Sequence, residues 1–145
     1  MIVADEAAML AVGEALAKQL RPGDVVTLAG GLSAGKTTLV RGLLSGLDHR
    51  GEVPSPTFAI VQPYEMVEPP VWHVDLYRLE DPSELDELGL DEAADVGVLI
   101  VEWPERAGPH SWPEALALSI AVDEDGARRL TATVPAAWEG RWPLP

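Results

Sequence analysis

A chain of 145 residues without a cysteine is long enough for one hydrophobic core, and it excludes a disulfide scaffold, a thiol nucleophile and a cysteine-ligated zinc site. Its 24 acidic residues against 10 basic ones leave a net charge of −14; such a surface repels bare nucleic acid rather than collecting it, or simply keeps the protein soluble. No apolar run approaches the roughly 20 residues that span a bilayer and no basic-then-apolar leader opens the chain, so the expectation is one cytoplasmic domain over residues 1–145 with no membrane partner.

In chain order, Asp5 is placed to cap a first helix reaching about Leu20, with Glu6 in its first turn. Met9, Val12, Leu16 and Leu20 recur at helical spacing and should face the core, with Gly13 on that stripe allowing close packing. Arg21-Pro22-Gly23-Asp24 turns into a buried strand over 25–29. The next stretch, Gly30-Gly31-Leu32-Ser33-Ala34-Gly35-Lys36-Thr37-Thr38, satisfies G-x-x-x-x-G-K-[ST]. In this pattern glycines let successive backbone N–H groups curl around a polyphosphate, and the following helix adds its positive end. Lys36 would reach the β- and γ-phosphates and the Thr37 hydroxyl would ligate Mg²⁺. An apolar segment from Leu39 carries that helix to about Leu47. The loop and its flanking elements mark a nucleotide-binding protein.

From His49 to Pro56 the chain has no periodicity and reads as a loop near the phosphate end. Thr57 to about Gln62 reads as a strand, Pro63 to Pro70 as a turn, and Val71 to Tyr77 as a second strand antiparallel to the first. Asp81-Pro82 opens a helix that Gly89 stops, and a short acidic helix follows around Asp91 to Asp95. Val98-Leu99-Ile100-Val101 is a continuous apolar run with the signature of a central strand buried on both faces, and it ends at Glu102. Leu116–Val122 and Arg128–Val134 alternate around Asp123–Ala127 as a β-hairpin. The tail over 135–145, with Trp138 and Trp142, has no regular pattern, which leaves packing on the body and mobility both open. The fold class is α/β: a phosphate-loop NTPase with a mixed, largely parallel central sheet, flanking helices and a C-terminal hairpin.

Three positions beyond the loop could carry chemistry. Glu102 ends an apolar strand at the edge where open α/β sheets bind ligands, which suits a magnesium-side acid; an acid at an ordinary strand-to-loop junction would look the same. Asp75 shares a strand face with His73 and Tyr77, as either a reactive cluster or a face meeting water. Thr57 follows a flexible loop, where a hydroxyl can sense a γ-phosphate through Mg²⁺ or merely start a strand. No Asn/Thr-Lys-x-Asp stretch reads guanine, which favours ATP. No arginine-rich lid is present either, Arg78 and Arg106 being isolated.

Ser55-Pro56-Thr57, His73-Val74-Asp75-Leu76-Tyr77-Arg78-Leu79, Asp81-Pro82 with Glu84-Leu85 and Leu88-Gly89, and Glu102-Trp103-Pro104 follow the phosphate loop in that order. In type, order and spacing they resemble the TsaE (YjeE) family, over roughly residues 5 to 135. Members of that family are bacterial ATPases required for the threonylcarbamoyl modification of adenosine 37 in ANN-decoding tRNAs. The resemblance implies an ATP- and Mg²⁺-dependent ATPase in which Gly30 to Thr38 hold the nucleotide and Thr37 and Glu102 the metal. It implies that Lys36, Asp75 and Glu102 are the catalytic residues, with Thr57 in a switch-like loop and Trp103 beside the site. It also implies a TsaB–TsaD-like heterodimer as partner, with tRNA met only through that complex. Where the family usually has Gly-Ala-Gly-Lys-Thr, this chain has Ser33; a left-handed backbone there would cost about 1 kcal/mol. Competing readings are a small-molecule phosphate-loop kinase and a nucleotide-dependent binding module with incidental turnover.

Overall fold

The computed structural model describes residues 1–31, 34–53, 61–108 and 111–142. Its first long element starts where an acidic cap is available. Asp5 has extended backbone and its carboxylate accepts the Ala8 amide at 2.8 Å, opening α1, Glu6–Ala17, after a two-residue strand β1, Ile2–Val3. The helix stops three residues short of the expected Leu20. The amides of Gln19 and Leu20 turn back to Leu16 and Ala17 in a tighter turn ahead of Pro22, while Leu20 itself stays buried.

α1 lies along α2, Lys36–Gly46, at backbone contact. A Cβ on Gly13 would come within 2.3 Å of the Leu39 carbonyl oxygen, and one on Gly42 within 2.3 Å of the Leu10 carbonyl oxygen. The glycine read from the sequence as a close-packing position therefore has a counterpart on the facing helix. Together they set how closely the two helices approach each other.

Among the described residues the sheet has seven strands. To those already named it adds β2, Val25–Ala29; β3, Val61–Tyr64; β4, Val71–Asp75; β5, Val98–Glu102; β6, Leu116–Val122; and β7, Arg128–Thr133. Their spatial order is β1-β7-β6-β2-β5-β4-β3. The four central strands β6, β2, β5 and β4 run parallel, and the pairs at both edges are antiparallel. β5 is buried along its whole length between β2 and β4, as its unbroken apolar run requires. The hairpin β6–β7 does not stand apart; β6 pairs directly with β2.

One sheet face is covered by α1 and α2, which pack on Val26, Leu28, Val98, Ile100, Leu116 and Leu118. The other carries shorter pieces: α3, Leu90–Val96, and 3₁₀ turns over Pro82–Leu88 and Pro104–Ala107. The segment after Asp81 was expected as a helix and forms 3₁₀ turns. Asp81 caps it by accepting the Ser83 amide, and Gly89 closes it in the left-handed conformation. Pro63, expected in a turn, lies inside β3. Among the described residues that strand is the sheet edge, the position in a sheet where a residue without an N–H is tolerated. Residues 57–60 of the expected strand lie outside the described residues.

The described part of the tail, to residue 142, packs on the body. Trp138, at the end of the 3₁₀ turn Ala136–Trp138, is fully buried. Arg141 is buried too: Nη1 donates to Asp24 Oδ2 at 2.7 Å and Nη2 to Asp24 Oδ1 at 3.0 Å. Among the described residues no helix is long and apolar enough to cross a membrane.

Candidate functional site

Strand β2 delivers the chain to Gly30, whose φ of 150° and proximity to the Ile120 carbonyl, 2.5 Å from any Cβ, admit only glycine. Gly35 closes the motif in the left-handed region, φ 112°, and is the N-cap of α2. Lys36, Thr37 and Thr38 form the first turn, where helix geometry leaves amides without intrahelical partners and the macrodipole is positive. Gly31 and Ala34 are also placed by the structure, while Leu32, Ser33 and Thr57 lie outside the described residues.

Lys36 is 5% exposed. Its ammonium donates to the Gly30 carbonyl at 2.8 Å and lies 3.8 Å from the centre of the Trp103 ring. Burial lowers its pKa, and the carboxylates of Glu102, Asp75 and Glu105 act against that shift. Trp103 has left-handed backbone, φ 57° and ψ 50°, a conformation costing about 1–2 kcal/mol in a residue with a Cβ. That turn sets the indole over the lysine directly after Glu102. The Trp103 ring also meets Tyr77, with ring centres 5.0 Å apart.

Glu102 and Asp75 are register partners at the C-terminal ends of β5 and β4. Strand pairing thus brings together the two acids read separately from the sequence. Glu102 is 3% exposed, and its Oε2 is 2.5 Å from Nε2 of the fully buried His73. A carboxylate only accepts, so the imidazole is the donor. Its Nδ1 has no partner among the described residues. Asp75 accepts the Tyr77 amide at 3.0 Å. Burial raises its pKa above the ordinary carboxylate value, against the Tyr77 amide bond; Glu102 raises it further, and His73 and Lys36 lower it.

These groups face a cavity of about 470 Å³ at the C-terminal end of the parallel strands. It is lined by Lys36, Thr37, Thr38, Asp75, Glu102 and Trp103, and also by Asp5, Met9, Gly126 and Arg128. Arg128 went unread in the sequence. From the start of β7 its Nε donates to the Ala34 carbonyl at 2.9 Å, tying the hairpin to the phosphate loop across 94 positions. No local signal marks such a contact. His73 did carry one, its place two residues before Asp75, but the pairing of its strand with the one that ends at Glu102 was not readable.

The described residues contain no cluster of three or more His, Cys, Asp or Glu suited to holding a metal by themselves. The cavity does join a Thr37 hydroxyl to the Glu102 carboxylate. That oxygen-only donor pair fits Mg²⁺, which is commonly held by one or two carboxylates together with phosphates and water.

The sequence pattern of the family described as "Threonylcarbamoyl adenosine biosynthesis protein TsaE" matches residues 3–130. The tRNA threonylcarbamoyladenosine biosynthesis protein TsaE of Streptomyces coelicolor is 44% identical over 132 residues, covering 86% of this chain and 89% of that protein. Its Haemophilus influenzae namesake is 38% identical over 134 residues, covering 88% and 84%, and the Bacillus subtilis one 41% over 124 residues, covering 85% and 77%. The crystal structure of Bacillus subtilis YdiB superposes with a TM-score of 0.78 at 33% identity, over 94% of this chain and 85% of that one.

Proposed function

The chain belongs to the TsaE family, which serves tRNA threonylcarbamoyladenosine biosynthesis, and from that premise we propose that it is a Mg²⁺-dependent ATPase working in the cytoplasm with a TsaB–TsaD-like pair. The observation that carries this reading is the meeting, in one cavity, of the phosphate-loop lysine with two carboxylates from adjacent strand ends.

Each side chain then has a task. Lys36 exchanges the Gly30 carbonyl for β- and γ-phosphate oxygens, and the free amides at the start of α2 hold the same groups. Thr37 and Glu102 would hold Mg²⁺, which when bound neutralises charge on the phosphates. Asp75 orients the attacking water; its raised pKa brings the carboxylate closer to the basicity that accepting a proton requires. Trp103 covers the lysine and limits water at the reacting end. Thr57, from the sequence, would sense the γ-phosphate.

The net charge of −14 argues against direct capture of tRNA, which the partners would hold. Turnover by the chain alone should fall well below the typical enzyme rate of about 10 per second, since no arginine-rich lid is legible; a partner can supply such a group in trans. The test is a multiple-turnover modification assay with purified partners. ATP should sustain repeated rounds, and a non-hydrolysable analogue should not. Equal yields with both would overturn a role for hydrolysis, and a stoichiometric phosphorylated small molecule would point to a kinase instead.

A further inference from the structure

We propose that His73 is the positioning residue that fixes the Glu102 carboxylate for its work on the magnesium–nucleotide complex; this rests on the reading of the site just given. The register of β4 and β5 pairs Asp75 with Glu102 and His73 with Ile100, so His73, Asp75 and Glu102 share the sheet face toward α2. His73 lies one same-face step inside the sheet edge and reaches Glu102 from behind. Its Nε2 donates to one carboxylate oxygen at 2.5 Å, while Glu102 also lines the cavity in front.

Three observations give this bond a direction. His73 is fully buried and Glu102 is 3% exposed, so water cannot replace the donor. The second ring nitrogen, Nδ1, has no partner among the described residues; a histidine kept to knit the core together would ordinarily use both nitrogens. The contact also accounts for the residue type at 102. An aspartate would draw its carboxylate back by one carbon–carbon bond, about 1.5 Å, and out of reach of His73. The longer side chain lets one oxygen be committed to the imidazole while the group still borders the cavity.

The test is calorimetric titration of the full chain with a non-hydrolysable ATP analogue, with and without Mg²⁺. His73→Leu should lose about tenfold or more of the Mg²⁺-dependent gain in affinity, the worth of one charge-assisted hydrogen bond, and change Mg²⁺-free binding by less than about twofold on the same scale. His73→Gln keeps an N–H near the Nε2 position and should recover to within about threefold. His73→Leu combined with Glu102→Gln should be no weaker than Glu102→Gln alone, because both changes remove one unit. Equal impairment in His73→Gln and His73→Leu, additive losses in the double variant, or an unchanged Mg²⁺ gain would each overturn the proposal. If His73→Leu does not fold, Glu102→Asp decides. It keeps the charge but leaves His73, so its Mg²⁺ gain should fall toward that of Glu102→Gln, and a full gain would overturn the proposal. A wild-type chain whose affinity is indifferent to Mg²⁺ would overturn the reading of the site as well.

Discussion

Two carboxylates are buried at opposite ends of the parallel strands, and they have been put to different uses. Asp24, just before β2, accepts the Arg21 amide at 2.7 Å and both terminal nitrogens of Arg141. Arg141 also donates to the carbonyls of Gln19 and Ala137 and stacks 3.9 Å from the Trp138 ring centre. That pair is closed: its charge and nearly all its bonding capacity are spent on the protein. Glu102, at the far end of β5, is bonded by His73 among the described residues and faces a cavity shared with Lys36 and Asp75. Burial therefore does not separate function from structure here. The difference lies in unspent hydrogen-bonding capacity that opens onto space for a ligand.

Removing a member of each group should break the molecule in different ways. Lys36→Ala should have the largest effect on binding, weakening ATP by at least about 100-fold because buried charge-assisted contacts to the phosphates vanish. The unfolding transition should stay cooperative. Unchanged affinity would remove the phosphate-loop assignment. Arg141→Met should do the reverse. It strands a buried Asp24, costing about 3–5 kcal/mol of stability by denaturant titration, while affinity for ATP stays within about twofold.

Asp75→Asn comes next. Hydrolysis should fall about 100-fold with ATP affinity retained, as expected when an oriented carboxylate is lost from the chemical step. Full activity in that variant would defeat the role assigned to Asp75. The same substitution carries the smallest effect, on stability. Because burial raises the folded-state pKa of Asp75 above 3.8, the native state binds more protons than the unfolded state between the two values. Stability falls as pH rises through that window, and ionised Asp75 is a cost at neutral pH. Asp75→Asn should therefore gain in unfolding midpoint at neutral pH relative to wild type, and that gain should disappear well below pH 3.8. A gain that persists in acid would show that burial of the charge is not its cause.

What the sequence made legible was local. The phosphate-loop motif, the strand before it, the helix after it and the apolar run ending at Glu102 all carry their period or spacing within a few residues, and the two strands and the helix lie where they were read. What stayed hidden depends on pairing. Nothing near Arg128 announces that it reaches Ala34. Nothing in Ile2–Val3 shows that two residues will add a strand beside β7. The hairpin was readable as a hairpin, but its parallel docking on β2 is a non-local choice. The aperiodic tail could not reveal that Trp138 and Arg141 seal the N-terminal end of the sheet. His73 and Glu102 were each visible; only the register of β4 against β5 turned them into a bonded pair.

The most direct measurement is amide hydrogen exchange on the wild-type chain, with and without ATP and Mg²⁺. The account predicts strong added protection at Ala34 to Thr38 and around Asp75 and Glu102, with exchange near Asp24 and Trp138 to Trp142 unchanged. Protection confined to the Asp24–Arg141 end, or none at the phosphate loop under saturating nucleotide, would contradict it.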